Sequence, residues 1–117
     1  MTKLNRGFTT LATMFTLFAM SAAAVAPDMT GSLAPRTYED YKWAVSAGDW
    51  QISGFAKSGD LDIEVFDMNG KLIARDDDDD NSPVVHIVAS RRAEMRIRFI
   101  NADYNESLDY VGYLEEE

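Results

Sequence analysis

The sequence contains no cysteine, one histidine, three prolines and two tryptophans among its 117 residues. The absence of cysteine excludes disulfides, thiolate metal ligands and a cysteine nucleophile. A single histidine excludes a zinc site built from several histidines. Basic residues are also few, since 11 Lys and Arg against 20 Asp and Glu give a formal net charge of -9. A nucleic-acid-binding surface requires a basic patch, so we expect no nucleic-acid partner.

The N-terminal segment, residues 1–24, has the features of a secretory signal peptide. Lys3 and Arg6 form a short positive region, and the next 20 residues carry no charge. Small residues then supply A-x-A cleavage sites, and we expect cleavage after Ala23 or Ala24. The sequence therefore predicts an exported protein, either periplasmic or extracellular. The alternative is an uncleaved anchor helix, because the uncharged stretch of 20 residues is barely long enough to span a bilayer. Only in that case do we expect membrane contact.

The remaining chain divides into a linker and one domain. Residues 25–37 include Pro27 and Pro35 and are typical of a linker or a loosely attached first strand. Over residues 38–117, apolar and polar residues alternate with a period of two, which is typical of strands that bury one face. About seven such segments recur roughly every 10 residues, which indicates an antiparallel β-sandwich or barrel.

The most specific turn signal is Asn69-Gly70, which lies between two of these segments. A type I′ turn needs positive φ at both central residues, and Asn followed by Gly tolerates this best. The sequence therefore predicts a tight β-hairpin with a type I′ turn at Asn69 and Gly70.

Short motifs follow one another in a fixed order across residues 38–114. Residues 59–67 read GDLDIEVFD, and the other motifs are WAVSAGD at 43–49, LIAR at 72–75 and RIRFIN at 96–101. This series resembles the bacterial pre-peptidase C-terminal (PPC) domain family. One departure lies at Ala93-Glu94-Met95, where the family usually has Gly-x-Tyr.

The resemblance implies an all-β fold, a jelly-roll-like antiparallel β-sandwich of about seven to eight strands. It also implies a non-catalytic module, which in this family is normally appended to secreted peptidases and sometimes binds calcium or a polymeric ligand. No peptidase is present in the 117 residues, so such a role would be a stand-alone one.

The strongest chemical feature is an uninterrupted run of five aspartates followed by Asn81. Calcium takes six to eight oxygen ligands, and carboxylates on a loop can supply several of them. Consecutive side chains alternate in direction, so two or three of the five could share one ion. The candidate calcium ligands are Asp76, Asp77, Asp78, Asp79 and Asp80, with Asp60, Asp62 and Asp67 from neighbouring segments. The alternative is a solvated acidic loop that protects a sheet edge.

A stripe of arginines gives the candidate partner surface. Arg96 and Arg98 share the outward face of one strand, and Arg92 precedes them in a turn. Together with Tyr104, which lies in a polar stretch, they are candidates for binding an unidentified protein or polymeric ligand. The alternative is that the arginines form cross-strand ion pairs with Asp62 or Glu64.

These features favour a non-catalytic, exported binding or accessory module, with calcium at the acidic loop as the one cofactor considered. A structural subunit of a larger cell-envelope or secreted assembly is the alternative, in which an exposed strand edge pairs with a partner. We do not expect an enzyme, because only Asp and Glu clusters are available to supply the acid and base groups that catalysis requires.

Overall fold

The computed structural model describes residues 25–117 and, as one short strand, residues 3–4. The rest of the expected signal peptide lies outside the described residues. The described residues form antiparallel strands and no helix. The strands are β1 (Lys3–Leu4), β2 (Met29–Leu33), β3 (Tyr38–Val45), β4 (Gly48–Ala56), β5 (Leu61–Phe66), β6 (Leu72–Asp76), β7 (Val84–Ala89), β8 (Ala93–Asn101) and β9 (Leu108–Glu116).

These strands form two sheets that pack face to face. The five-stranded sheet has the order β1-β3-β8-β5-β6, and the four-stranded sheet has the order β2-β9-β4-β7. The expectation of an all-β antiparallel sandwich is therefore confirmed. The connection from β6 to β7 crosses from one sheet to the other, and residues 77–83 of the acidic loop make that crossing.

The core lies between the sheets because apolar residues alternate along the strands. Trp43, Ile52, Ile63 and Phe99 are completely buried, each at an inward position of its strand. The rings of Trp43 and Trp50 meet edge to face with centroids 5.6 Å apart. Burial of such large side chains contributes about 1.5–3 kcal/mol each, which matters in a small domain without disulfides.

The hairpin between β5 and β6 exists, but the predicted type I′ turn is wrong. The Gly70 amide donates to the Asp67 carbonyl oxygen at 3.1 Å, and only Gly70 of the turn has positive φ, at 84°. This is a type I turn followed by one left-handed glycine, and the register shifts between Val65 and Phe66 beside it. The reason is Asp67, whose carboxylate accepts the Asn69 and Lys71 amides and favours a turn that begins at an Asp.

Candidate functional site

The candidate site lies where the acidic loop runs along the start of β5. Leu61 and Ile63 point into the core, so Asp62 between them faces outward, and Asp60 precedes it by two residues. The acidic loop follows β6 and runs beside the start of β5. There the Leu61 amide donates to the Asp80 carbonyl oxygen at 3.0 Å. Strand alternation and this backbone contact bring Asp60 and Asp62 to the loop.

Two of the loop aspartates hold the loop in shape. Asp76 accepts the Asp78 amide at Oδ1 (3.2 Å) and the Val84 amide at Oδ2 (2.8 Å). Asp80 accepts the Ser82 amide at 2.9 Å. These are Asx-type contacts that fix a turn through an aspartate side chain.

The other loop aspartates are directed differently. Asp77 lies 3.5 Å from the Arg75 guanidinium in an exposed ion pair, and Asp79 acts electrostatically on Asp60. Asp77 also adds negative potential at Asp62. Asp76 likewise acts on Asp62, and Asp80 acts on Asp60, so the turn-capping aspartates also contribute negative potential at β5.

Asp62 is the most unusual member of the cluster. Its side chain belongs to a residue only 9% exposed, and its Oδ1 atom is buried with no hydrogen-bond partner. The Oδ1 atom of Asp60 is buried and without a partner as well. A buried acceptor without a donor costs about 1–3 kcal/mol, so two adjacent ones need a physical explanation.

The electrostatics of the pair follow from this burial. Desolvation, and after it the charge of Asp60, raise the pKa of Asp62 to about 7. Burial also raises the pKa of Asp60, with Asp79 adding to the shift. Two carboxylates in contact stabilise each other only if they share a proton or a cation lies between them. The chemistry available here is therefore proton sharing or cation binding.

The remaining metal candidate, Asp67, is not part of this cluster. It follows the far end of β5, five residues after Asp62, which is a separation of about 16 Å along a strand. Its carboxylate is engaged in the hairpin turn described above. Among residues 25–117, no three acidic or histidine side chains already converge as a closed set of metal ligands. A cation at this site would therefore draw in loop carboxylates by a local movement.

The arginine stripe is present, but its ion-pair partner differs from the expected ones. Arg98 forms a two-pronged contact with Asp40, at 2.8 and 3.1 Å, and Arg96 lies 3.6 Å from the same carboxylate. Asp40 lies on β3, the neighbour of β8 on the side opposite β5. The expected pairing with Asp62 or Glu64 is therefore wrong, and Glu64 lies instead 3.8 Å from Arg75.

Two aromatic rings lie close to the Arg98 side chain. The Arg98 guanidinium lies 3.9 Å from the ring centre of Tyr38 and 4.9 Å from that of Phe66. Arg96 lies 5.1 Å from the Phe66 ring. With its charge paired by Asp40 and two aromatic rings close to its guanidinium, Arg98 is held in place within the outer face of the five-stranded sheet.

The other partner candidates are scattered. Tyr104 is 75% exposed, and the Arg36 guanidinium lies 4.4 Å from its ring centre. Arg92 is exposed in the connection between β7 and β8. Arg92 and Tyr104 therefore lie beyond opposite ends of β8, the strand that carries Arg96 and Arg98. Sequence reasoning did not single out Asp40 or Phe66, whose role depends on how β3 and β5 flank β8.

Comparison with known proteins adds no family. No family model matches the chain, and no curated protein matches it. Within the part of the chain that the structure describes, no helix is long and apolar enough to cross a membrane.

Proposed function

We propose that this protein is an exported, non-catalytic binding or accessory module that calcium stabilises at the acidic loop. The observation that carries the proposal is the pair of buried, unpartnered carboxylate oxygens on Asp60 and Asp62 beside a run of five aspartates. Calcium is the cation whose ligand preference fits best, because it takes oxygen ligands at flexible geometry.

The proposed ion would remove two sources of instability in the metal-free fold. It supplies a partner for the buried Oδ1 atoms, and it offsets the repulsion between Asp60, Asp62 and the loop aspartates. Asp77 and Asp79 are the loop residues expected to complete the site, since their charges act on the pair and the carboxylates of Asp76 and Asp80 already accept backbone amides. Asp76 and Asp80 would keep their turn-capping contacts, so the loop would tighten without losing its backbone anchors.

The non-catalytic part of the proposal rests on the resemblance of the sequence to a non-catalytic module. Asp60 and Asp62 act on each other electrostatically. Two carboxyl groups placed this way can bind one ion together.

A thermal melt tests the proposal. The protein is melted in chelator, in about 1 mM calcium and in about 1 mM magnesium. Calcium at 100 times its dissociation constant stabilises a folded protein by about 2.7 kcal/mol, a Tm increase of about 11–22 °C for a domain of this size. We expect this increase with calcium and a much smaller one with magnesium, which binds poorly where octahedral geometry is not offered.

Two variants make the melt specific. Asp62→Asn removes a proposed ligand charge and should abolish most of the calcium response. Asp49→Asn makes the same change of charge at an exposed position of the other sheet, at the start of β4, and should leave the response intact. An equal response to both metals, or an unchanged calcium response in Asp62→Asn, would refute the site and leave the run as a solvated loop.

The second candidate function is a structural subunit of a larger envelope or secreted assembly. The observation in its favour is β7, an outermost strand of the four-stranded sheet with apolar residues on its outer face. Edge strands of this kind are templates for pairing with another chain. Co-purification of a stable complex with a different protein, retained in chelator, would favour this function over the calcium-stabilised module.

A further inference from the structure

A cavity of about 450 Å³ opens on the outer face of the four-stranded sheet, where β4 ends and β9 begins. Inward and outward residues alternate along both strands, so Phe55 and Val111 face outward as opposite members of one cross-strand pair. Phe55 is 48% exposed, and together the two side chains give the cavity an apolar wall. Because Asp62 lies on the outer face of the other sheet, the cavity is separate from the proposed calcium site.

The connection from β4 to β5 forms one side of the cavity and is fixed in place. The polar residues that line the cavity are Lys57 and Ser58 of this connection, with Ser107 and Asp109 from around the start of β9. Gly59 has a φ of 95°, which glycine tolerates best, and a Cβ there would lie 3.4 Å from the Leu108 side chain. The Asp60 carbonyl oxygen then accepts the Ala102 amide at 2.9 Å. The cavity therefore exists before any ligand binds.

Two opposite charges line the cavity without pairing. Lys57 lies one residue beyond Ala56, which pairs with Tyr110, so the register brings Lys57 and Asp109 to the same end of the ladder. Opposite charges at such positions commonly form a cross-strand pair. Among the ion pairs of residues 25–117, none joins Lys57 to Asp109. The Ser32 hydroxyl donates to Asp109 Oδ1, and the described residues supply no hydrogen bond to Oδ2.

The charges select the kind of ligand that fits. A protein of net charge -9 repels an anion, and the Lys57 ammonium group repels a cation at the cavity itself. A zwitterion is neutral overall, and it presents a carboxylate to Lys57 and an ammonium group to Asp109, which makes both hydrogen bonds charge-assisted. A sugar would leave both protein charges uncompensated. The apolar wall adds a place for an apolar side chain, as in most small-molecule sites.

We propose that this cavity binds a free α-amino acid with a large apolar side chain. Lys57 binds the α-carboxylate, Asp109 Oδ2 binds the α-ammonium group, and the ligand side chain lies against Phe55 and Val111. The inference rests on the binding role proposed above and names the class of ligand for it, but it does not depend on calcium. Because contacts with exposed charges are each weak, the expected dissociation constant is about 1 mM.

NMR titration of the protein produced from its full sequence tests the site. Phenylalanine is added in chelator up to about 20 mM, well above the expected dissociation constant, and the amide shifts of Lys57 and Val111 are followed. Phenylalanine amide lacks the carboxylate and N-acetylphenylalanine lacks the ammonium group, so each should bind about three- to fivefold more weakly. Alanine, which lacks the ring, should bind at least about fivefold more weakly.

Three outcomes of the titration would overturn the proposal. The first is the absence of shifts at these two amides with phenylalanine. The second is equal binding of phenylalanine and its two blocked forms, because the charges would then contribute nothing. The third is a response at the same amides to glucose and not to phenylalanine, which would identify a sugar site.

Paired variants assign each charged contact. Lys57→Gln should weaken phenylalanine binding about three- to fivefold and remove the difference between phenylalanine and its amide. Asp109→Asn keeps an oxygen for the Ser32 hydroxyl and should instead remove the difference between phenylalanine and its N-acetyl form. Lys71→Gln makes the same change of charge at an exposed position between β5 and β6 and should leave binding within about twofold of the original. Equal effects of Lys57→Gln and Lys71→Gln would show that only overall charge matters and refute the site.

The result can be told apart from that of the calcium melt. Failure of phenylalanine to bind, in a protein whose Tm increases with calcium, would overturn this site and leave the calcium-stabilised module intact. Phenylalanine binding with the expected variant pattern, in a protein without a calcium response, would support this site and refute the calcium part of the proposed function.

Discussion

Replacing Asp62 by Asn should stabilise the metal-free protein above neutral pH, although the residue is buried. Two adjacent carboxylates each present only acceptors when ionised, and the Oδ1 atoms of Asp60 and Asp62 lack a partner. An Asn at position 62 keeps nearly the same shape, removes one charge and supplies an N–H group that can donate to Asp60. The substitution thus removes both the repulsion and one unsatisfied acceptor.

The magnitude follows from the pKa of Asp62, which is raised from 3.8 to about 7. The folded state therefore keeps this proton to higher pH than the unfolded state does. Between about pH 4 and pH 7 the folded state binds more protons, so the free energy of unfolding decreases as pH increases. At about 1.4 kcal/mol per pKa unit the full shift corresponds to about 4 kcal/mol. Since Asp60 and Asp62 titrate as a pair, we assign about 2 kcal/mol to Asp62.

The assay is urea denaturation in chelator at pH 5 and pH 8. The unsubstituted protein should lose about 2 kcal/mol more between these pH values than Asp62→Asn does, equivalent to about 10 °C in Tm. Asp49→Asn, which changes the same charge far from the cluster, should lose as much as the unsubstituted protein. If Asp62→Asn is the less stable protein at pH 8, or retains the full pH dependence, the account of the carboxylate pair is refuted.

Three further substitutions test the packing and turns by urea denaturation. Gly70→Val should cost about 1 kcal/mol, because a β-branched residue resists a φ of 84° even though nothing lies within 4 Å of its Cβ; an unchanged free energy of unfolding would contradict the turn. Gly112→Ala should cost about 1–3 kcal/mol, because its Cβ would lie 2.6 Å from the Phe99 ring; a neutral result would mean that the ring moves freely. Asn101→Leu should cost about 3 kcal/mol, since the buried Asn101 amide donates to the carbonyl oxygens of Leu33 and Glu106, and a smaller loss would show that water replaces it.

The fold class could be predicted from the sequence because each strand buries alternate residues against one core. That pattern is local, so Trp43 and Ile63 indicate their inward direction without knowledge of which strands are neighbours. The turn at Asn69-Gly70 was predicted less well. Its hairpin position was correct, but the turn type depends on the Asp67 side chain, which accepts two backbone amides and stabilises a type I geometry. Dipeptide preference alone does not include that contact.

The partner of Arg98 could not be predicted for a different reason. β8 lies between β3 and β5, and the register places both Asp40 and Glu64 directly opposite Arg98. Both carboxylates were therefore available to the same guanidinium. Arg98 turns toward Asp40, whereas Glu64 lies near Arg75 of β6. The choice depends on strand order and on side-chain packing against Tyr38 and Phe66, neither of which is encoded by local spacing.

The charge of the acidic loop is greater than its turns require. Asp76 and Asp80 accept backbone amides, a role that Asn fulfils without charge, as Asn101 shows when its Oδ1 accepts the Asp103 amide at 3.0 Å. Turn formation therefore does not account for a run of five carboxylates beside two more that each have a buried oxygen. The repulsion among them destabilises the metal-free fold, and a divalent cation is the simplest ligand that turns the same charges into a stabilising contact. The proposal therefore predicts that the crossing between the two sheets is more stable with calcium than in chelator.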